Sequence, residues 1–147
     1  MKILVSACLL GENCKYSGGN NLNVKLVEFL KSHDTVPVCP EVMGGLPVPR
    51  APGEIVDGTV RNADGTSVDC EYRLGAEIAL EKALSEKVDF AVLQSRSPSC
   101  GVGEIYDGSF SHVRIAGDGV FVQRLKEKDI RAYDVQEFVE MIENNRI

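Results

Sequence analysis

The stretch Phe90-Ala91-Val92-Leu93, emptying into Ser95-Arg96-Ser97-Pro98-Ser99-Cys100-Gly101, decides the fold. Four apolar residues without polar alternation suit a short strand buried on both faces, as in a parallel sheet. The Ser, Pro and Gly residues that follow end the strand and open a loop. Just upstream, Val68 to Lys87 carries a helical pattern: Tyr72, Ala76, Ala79, Leu80, Ala83 and Leu84 share one face, while Glu71, Glu81, Lys82 and Glu86 look away from it. Helix, strand and loop in this order form part of a parallel crossover unit.

Outward from this centre the alternation continues. Toward the N-terminus, Ile3 to Ser6 reads as a first strand, released into a loop by Gly11 and Gly18-Gly19. Asn23 to Ser32 follows as a helix with Val24, Leu26, Val27 and Leu30 at helical spacing, and Thr35 to Val38 as a second strand in which Pro37 argues against a central position. Five of the six prolines fall between Pro37 and Pro52. Continuous helix and central strand are thereby excluded, and Val42, Met43, Leu46 and Val48 make a long, ordered, packed loop the expectation. Residues 55–66 are expected to form a hairpin turning at Asp64-Gly65. Toward the C-terminus, Asp118 is expected to cap a helix carrying Val120, Phe121 and Leu125. Ile130 to Tyr133 is a fourth strand, and Asp134 with Glu137 forms a capping box for a last helix with Val135, Phe138, Val139 and Ile142 inward. The expected fold is a single α/β domain over residues 1–147, a mostly parallel, Rossmann-like sheet flanked by helices.

Composition agrees and excludes several functions. The 147 residues are 44% hydrophobic and 26% charged, the profile of an ordinary globular domain. Sixteen Lys and Arg against 22 Asp and Glu leave a formal charge of -6, which disfavours a grip on a nucleic-acid polymer. No apolar run approaches the roughly 20 residues of a membrane helix, so no membrane partner is expected. The expected partner is a small molecule; a homodimer is compatible with the chain.

The five cysteines form no CxxC pair, and their odd number argues against full disulfide pairing. The apolar residues before Cys8 are too few for a signal's hydrophobic segment, so they read as a strand and the compartment as the reducing cytoplasm. Cys8, Cys39 and Cys100 each stand at or shortly after the carboxyl end of an expected strand, the edge where open parallel sheets bind ligands. Soft thiolates among backbone amides suit an iron-sulfur cluster or zinc. Cys14, in the loop after Cys8, is a fourth ligand, a sulfur-handling thiol or a loop filler. Cys70 reads as a small packing residue on the flank of its helix. Glu41, two residues from Cys39, is placed to move protons. Ser97 and Ser99 offer hydroxyl donors, and Arg50 and Arg96 offer cations for an anionic or carbonyl-bearing ligand. His33 and His112 read as surface residues.

Four blocks carry a resemblance: Ser6-Ala7-Cys8-Leu9-Leu10-Gly11; Cys14-Lys15-Tyr16-Ser17-Gly18; Cys39-Pro40-Glu41-Val42 with Gly44-Gly45-Leu46-Pro47 and Pro49-Arg50; and Ser97-Pro98-Ser99-Cys100-Gly101. In this order, over nearly the whole chain, they resemble the bacterial family catalogued as domain of unknown function 523, which includes thiouracil desulfidases. The resemblance implies that Cys8, Cys39 and Cys100 hold a 4Fe-4S cubane, with one iron lacking a protein ligand. It further implies that Glu41 is the catalytic acid, assisted by Ser97, with a small sulfur-containing substrate such as 2- or 4-thiouracil. Two other readings of the same residues stand beside it: a zinc-thiolate hydrolase, and a non-catalytic carrier of sulfide or metal.

Overall fold

The computed structural model describes residues 1–147. Its centre is a four-stranded, all-parallel sheet built from β1 (Lys2–Ser6), β2 (Asp34–Val38), β5 (Phe90–Leu93) and β8 (Ala132–Asp134), in the order β2-β1-β5-β8. Pro37 lies on β2, an edge strand, where its missing N–H breaks no central ladder. Five helices complete the chain: α1 (Val24–Leu30), α2 (Pro40–Met43), α3 (Asp69–Ser85), α4 (Val120–Glu127) and α5 (Val135–Glu143). None of them is long and apolar enough to cross a membrane.

Strand alternation builds the layers. Leu4 of β1, with Val38, Ala91 and Leu93, packs against Tyr72, Ala76, Ala79, Leu80 and Ala83 of α3 and against Val120, Phe121, Val122 and Leu125 of α4. Ile3 and Val5, one residue to either side of Leu4, face the opposite way with Val92, and meet Leu26 and Leu30 of α1 and Val135, Phe138 and Val139 of α5. The result is a helix–sheet–helix sandwich. Ser6 pairs with Val38 in the β1–β2 register, and Val5 with Val92 of β5. The carboxyl ends of these strands are therefore level, and the loops leaving them share one edge.

Two small antiparallel hairpins sit outside this sheet: β3 (Gly53–Val56) with β4 (Thr59–Asn62), and β6 (Glu104–Tyr106) with β7 (Arg114–Ala116). The first hairpin turns at Asp57-Gly58, with φ of +50° and +81°, and not at Asp64-Gly65. Turning there lets Val60 sink fully into the core. The loop expected from Pro37 to Pro52 contains the single turn α2, started by Pro40 at its first position, where no N–H is needed. Helix α4 is capped by Gly119; the Asp118 carboxylate instead accepts from the Gly103 N–H at 2.8 Å and pairs with Lys126. Asp134 caps α5 as expected, but through the Gln136 N–H. Val24 and Leu84, expected inward, are 64% and 45% exposed; they lie in the first and last turns of their helices.

Candidate active site

Three chain segments reach the level strand ends with a cysteine each. After β1 the chain makes a 3-10 turn over Ala7–Leu10 that carries Cys8 and ends at Gly11, whose φ of +95° suits glycine. After β2, Cys39 is the N-cap of α2, so Glu41 follows within the first turn. After β5, the loop to Gly101 is folded back by Ser97, whose hydroxyl oxygen accepts from the N–H groups of Ser99 and Cys100 at 3.1 Å each. Between these segments lies a cavity of about 600 Å³, within the usual range for small-molecule sites.

Glu41 is the hub of the cavity floor. Its Oε1 accepts from the Tyr72 hydroxyl at 3.0 Å and from Arg50 Nε at 3.1 Å. Its Oε2 accepts from the Ser99 hydroxyl at 2.7 Å and the Ser97 hydroxyl at 3.2 Å, the two serine oxygens being 2.9 Å apart. The Arg50–Glu41 pair is nearly sealed from water, with side chains 6% and 13% exposed. The remaining guanidinium nitrogens donate to the carbonyls of Pro47 and Cys14, so every nitrogen of Arg50's head group has a partner and the segments carrying Cys14 and Glu41 are tied together.

Three of the cavity's thiols, Cys8, Cys14 and Cys100, sit in a setting that resists ionisation. Burial above all, with the Glu41 carboxylate adding to it, pushes the Cys100 thiol well up, against hydrogen bonds from Ser6 and Ser99 that oppose the shift. Burial also raises Cys8, partly offset by the Asn21 amide, which donates to its sulfur at 3.5 Å. Cys14 is pushed up to about 12 by burial and by its neighbour Cys39. The fold therefore disfavours ionisation of Cys8, Cys14 and Cys100, and a thiophilic group bound to them would displace protons. No three His, Cys, Asp or Glu side chains gather tightly enough to hold a metal ion. Cys8, Cys39 and Cys100 line the same cavity, a set of soft donors whose chemistry fits a thiophilic metal or an iron-sulfur cluster.

All the candidate residues singled out from the sequence line this one cavity: Cys8, Cys14, Cys39 and Cys100, Glu41, Ser97 and Ser99, Arg50 and Arg96. Arg50 is committed to Glu41 and is not free for a ligand. Arg96 adopts φ +61°, has a buried Nε without a partner, and holds Glu104 only loosely at 4.0 Å. Cys70 is exposed on α3, not packed. His112, read as a surface residue, is exposed yet contributes to the cavity wall. Tyr72, Ser6, Asn21 and Glu54 were not singled out. Tyr72 carried a signal, since a phenol on the inward face of a helix needs a partner for its hydroxyl. The other three carry none, because their partners are distant in sequence.

Comparison with known proteins places the chain in a family and matches its fold. The family described as 2-thiouracil desulfurase matches residues 3–137. A Bacillus subtilis (strain 168) protein, described as uncharacterized protein YbbK, is 35% identical over 150 residues, covering 95% of this chain and 99% of its own length. A solved structure described as the 4Fe-4S-dependent thiouracil desulfidase TudS superposes with a TM-score of 0.89 at 37% identity, covering 99% of this chain and 97% of its own.

Proposed function

The chain belongs to the 2-thiouracil desulfurase family, and on that premise we propose that it removes sulfur from a small thiocarbonyl compound such as 2- or 4-thiouracil, releasing hydrosulfide and the oxo product. The cofactor of this reading is a 4Fe-4S cluster held by Cys8, Cys39 and Cys100, with one iron left open. The observation that carries it is the meeting of Glu41, Ser97 and Ser99 at the floor of a cavity bounded by those three thiols. When bound, the cluster supplies a thiophilic iron that can hold and polarise the thiocarbonyl sulfur. Exchanging sulfur for oxygen leaves carbon at the same oxidation level, so no electrons are required.

The chain's own groups then have proton work to do. Water adding to the thiocarbonyl carbon must lose a proton, and the departing sulfur must gain one. Glu41, oriented on both oxygens by four donors, accepts the first, and the Ser97 and Ser99 hydroxyls connect its Oε2 to the cavity. Tyr72 and Arg50 fix the other oxygen, so the carboxylate does not swing away. Ser99 and Arg96 are the groups left to contact the substrate; Arg50 serves through Glu41.

The test is anaerobic purification with iron, zinc and acid-labile sulfide analysis, then incubation with a thiouracil and no electron donor. Equal amounts of sulfide and oxo product are expected. Turnover that starts only when a donor is added would remove the non-redox mechanism. Zinc without labile sulfide would move the site to hydrolase chemistry.

A further inference from the structure

Glu54 of β3 is a buried acid that the reading above does not use. It is 8% exposed and has no basic partner; its Oε1 accepts from the backbone N–H groups of Gly108 at 3.0 Å and Phe110 at 3.2 Å, more than fifty residues further along the chain. These groups belong to the loop joining β6 to β7. The loop is closed at its base by Asp107 N–H donating to the Val113 carbonyl at 2.9 Å, and it sets out from there in a turn in which Asp107 Oδ1 accepts from the Ser109 N–H and hydroxyl. Gly108, at φ +92°, lies so close on β3 that a Cβ would come within 2.6 Å of the Ile55 carbonyl oxygen. Phe110 and His112 both hold φ +59°, a conformation that side-chain-bearing residues keep only when surroundings over-determine it. Residues of β7 are exposed throughout; Ile105 of β6, 8% exposed, anchors the hairpin at its base, while none of residues 107–113 in the loop beyond is buried. What it presents inward is aromatic: Tyr106, Phe110 and His112 form one wall of the cavity, with Tyr16 also lining it and Tyr106 and His112 edge to face at 5.9 Å.

We propose that Glu54 is a positioning residue of the active site: it latches the Asp107–Val113 loop to β3 so that Phe110 covers a planar heteroaromatic ring held in the cavity. The proposal rests on the desulfurase reading for the identity of that ring, but not for the latch. A carboxylate oxygen bridging two backbone donors fixes the loop, and an aromatic face in a fixed place selects flat rings by stacking.

The test uses the iron-loaded enzyme and three kinds of variant. Glu54→Leu should raise the KM for 2-thiouracil and the inhibition constant of uracil by about tenfold, the size of a lost stacking contact, with kcat and iron content near wild type. Glu54→Gln, which keeps a carbonyl oxygen for the two N–H groups, should restore most of the affinity. Phe110→Ala should match Glu54→Leu, Phe110→Tyr should retain binding, and the Leu–Ala double variant should be little worse than either single one. Independently of any substrate, the Gly108 and Phe110 amides should exchange hydrogen faster in Glu54→Leu. Unchanged amide protection overturns the latch, even if Glu54→Leu is inactive. Loss of kcat and iron together, or a Phe110→Ala enzyme with wild-type KM, overturns the ring-covering role. Absence of sulfide release by the wild type removes the desulfurase reading and the ring with it, while amide exchange still decides the latch.

Discussion

At Glu41 the local geometry constrains substitution sharply. Four donors point at its two oxygens, so an amide must turn its NH2 toward either Tyr72 and Arg50 or the two serines. Glu41→Gln should therefore keep the cluster and lose about 10²–10⁴ in turnover, the usual worth of a positioned proton-transfer group; an undiminished rate with full iron would remove Glu41 from the chemistry. Tyr72→Phe deletes one donor of four and leaves the others in place. It should cost about 1 kcal/mol, a fall of about 4 °C in melting temperature, with a smaller loss of kcat than Glu41→Gln. The cysteines divide by position. Cys8→Ser, Cys39→Ser and Cys100→Ser should each lose most bound iron, and the exposed Cys70→Ser should keep it; iron analysis showing the reverse pattern would overturn the ligand assignment.

At the scale of elements, the site depends on how α2 crosses α3. The crossing is made by two glycines: a Cβ on Gly44 would sit on the Glu71 carbonyl, and one on Gly75 on the Pro40 carbonyl. Backbone touches backbone there, and α2 begins with Cys39 as its cap and carries Glu41 in its first turn. Gly75→Ala would raise helix propensity by about 1 kcal/mol, yet the clash should outweigh it, for a net loss of about 2–3 kcal/mol. Thermal unfolding with iron analysis checks this: lower stability and reduced occupancy are expected, because the clash pushes Cys39 outward. The sequence offered no hint of this role, since an isolated glycine in a helical pattern looks like a tolerated weakness. The four central strands were legible because apolar runs bounded by loops have few alternative readings, and parallel pairing then levelled their ends, which is why the convergence of Cys8, Cys39 and Cys100 could be foreseen. The strands β6 and β7 were not, being three residues each with polar or charged residues among them and no helix starting directly after either, as α5 does after β8. The hairpin turn was misplaced because Asp57-Gly58 and Asp64-Gly65 are equally good turn dipeptides locally; burial of Val60 under α3 decides between them, and that is a tertiary fact.

For the molecule as a whole, the site and the core share few residues. Both apolar layers lie on the faces of the sheet and most of the site lies at the edge beyond the strand ends, with Tyr72 and Cys100 belonging to both. Burial raises the thiols of Cys8, Cys14 and Cys100 above their ordinary range, which disfavours their ionisation without a bound group. A small domain whose only core is its metal unfolds on chelation; this chain has two apolar layers besides. Chelating the iron should thus leave the far-UV circular dichroism of the helices unchanged. Melting temperature should fall, because a group that binds only the native state contributes about 4 kcal/mol at a thousandfold excess over its Kd, equivalent to roughly 10–15 °C in a chain this size. The loss should be local as well as global, with faster amide exchange around Cys8, Cys39 and Cys100 and little change in β1 and β5. Anaerobic reconstitution with iron and sulfide should restore both readings. A coil-like spectrum after chelation would show instead that the cluster is needed to close the sandwich, and that the two layers do not suffice to hold the strand ends level.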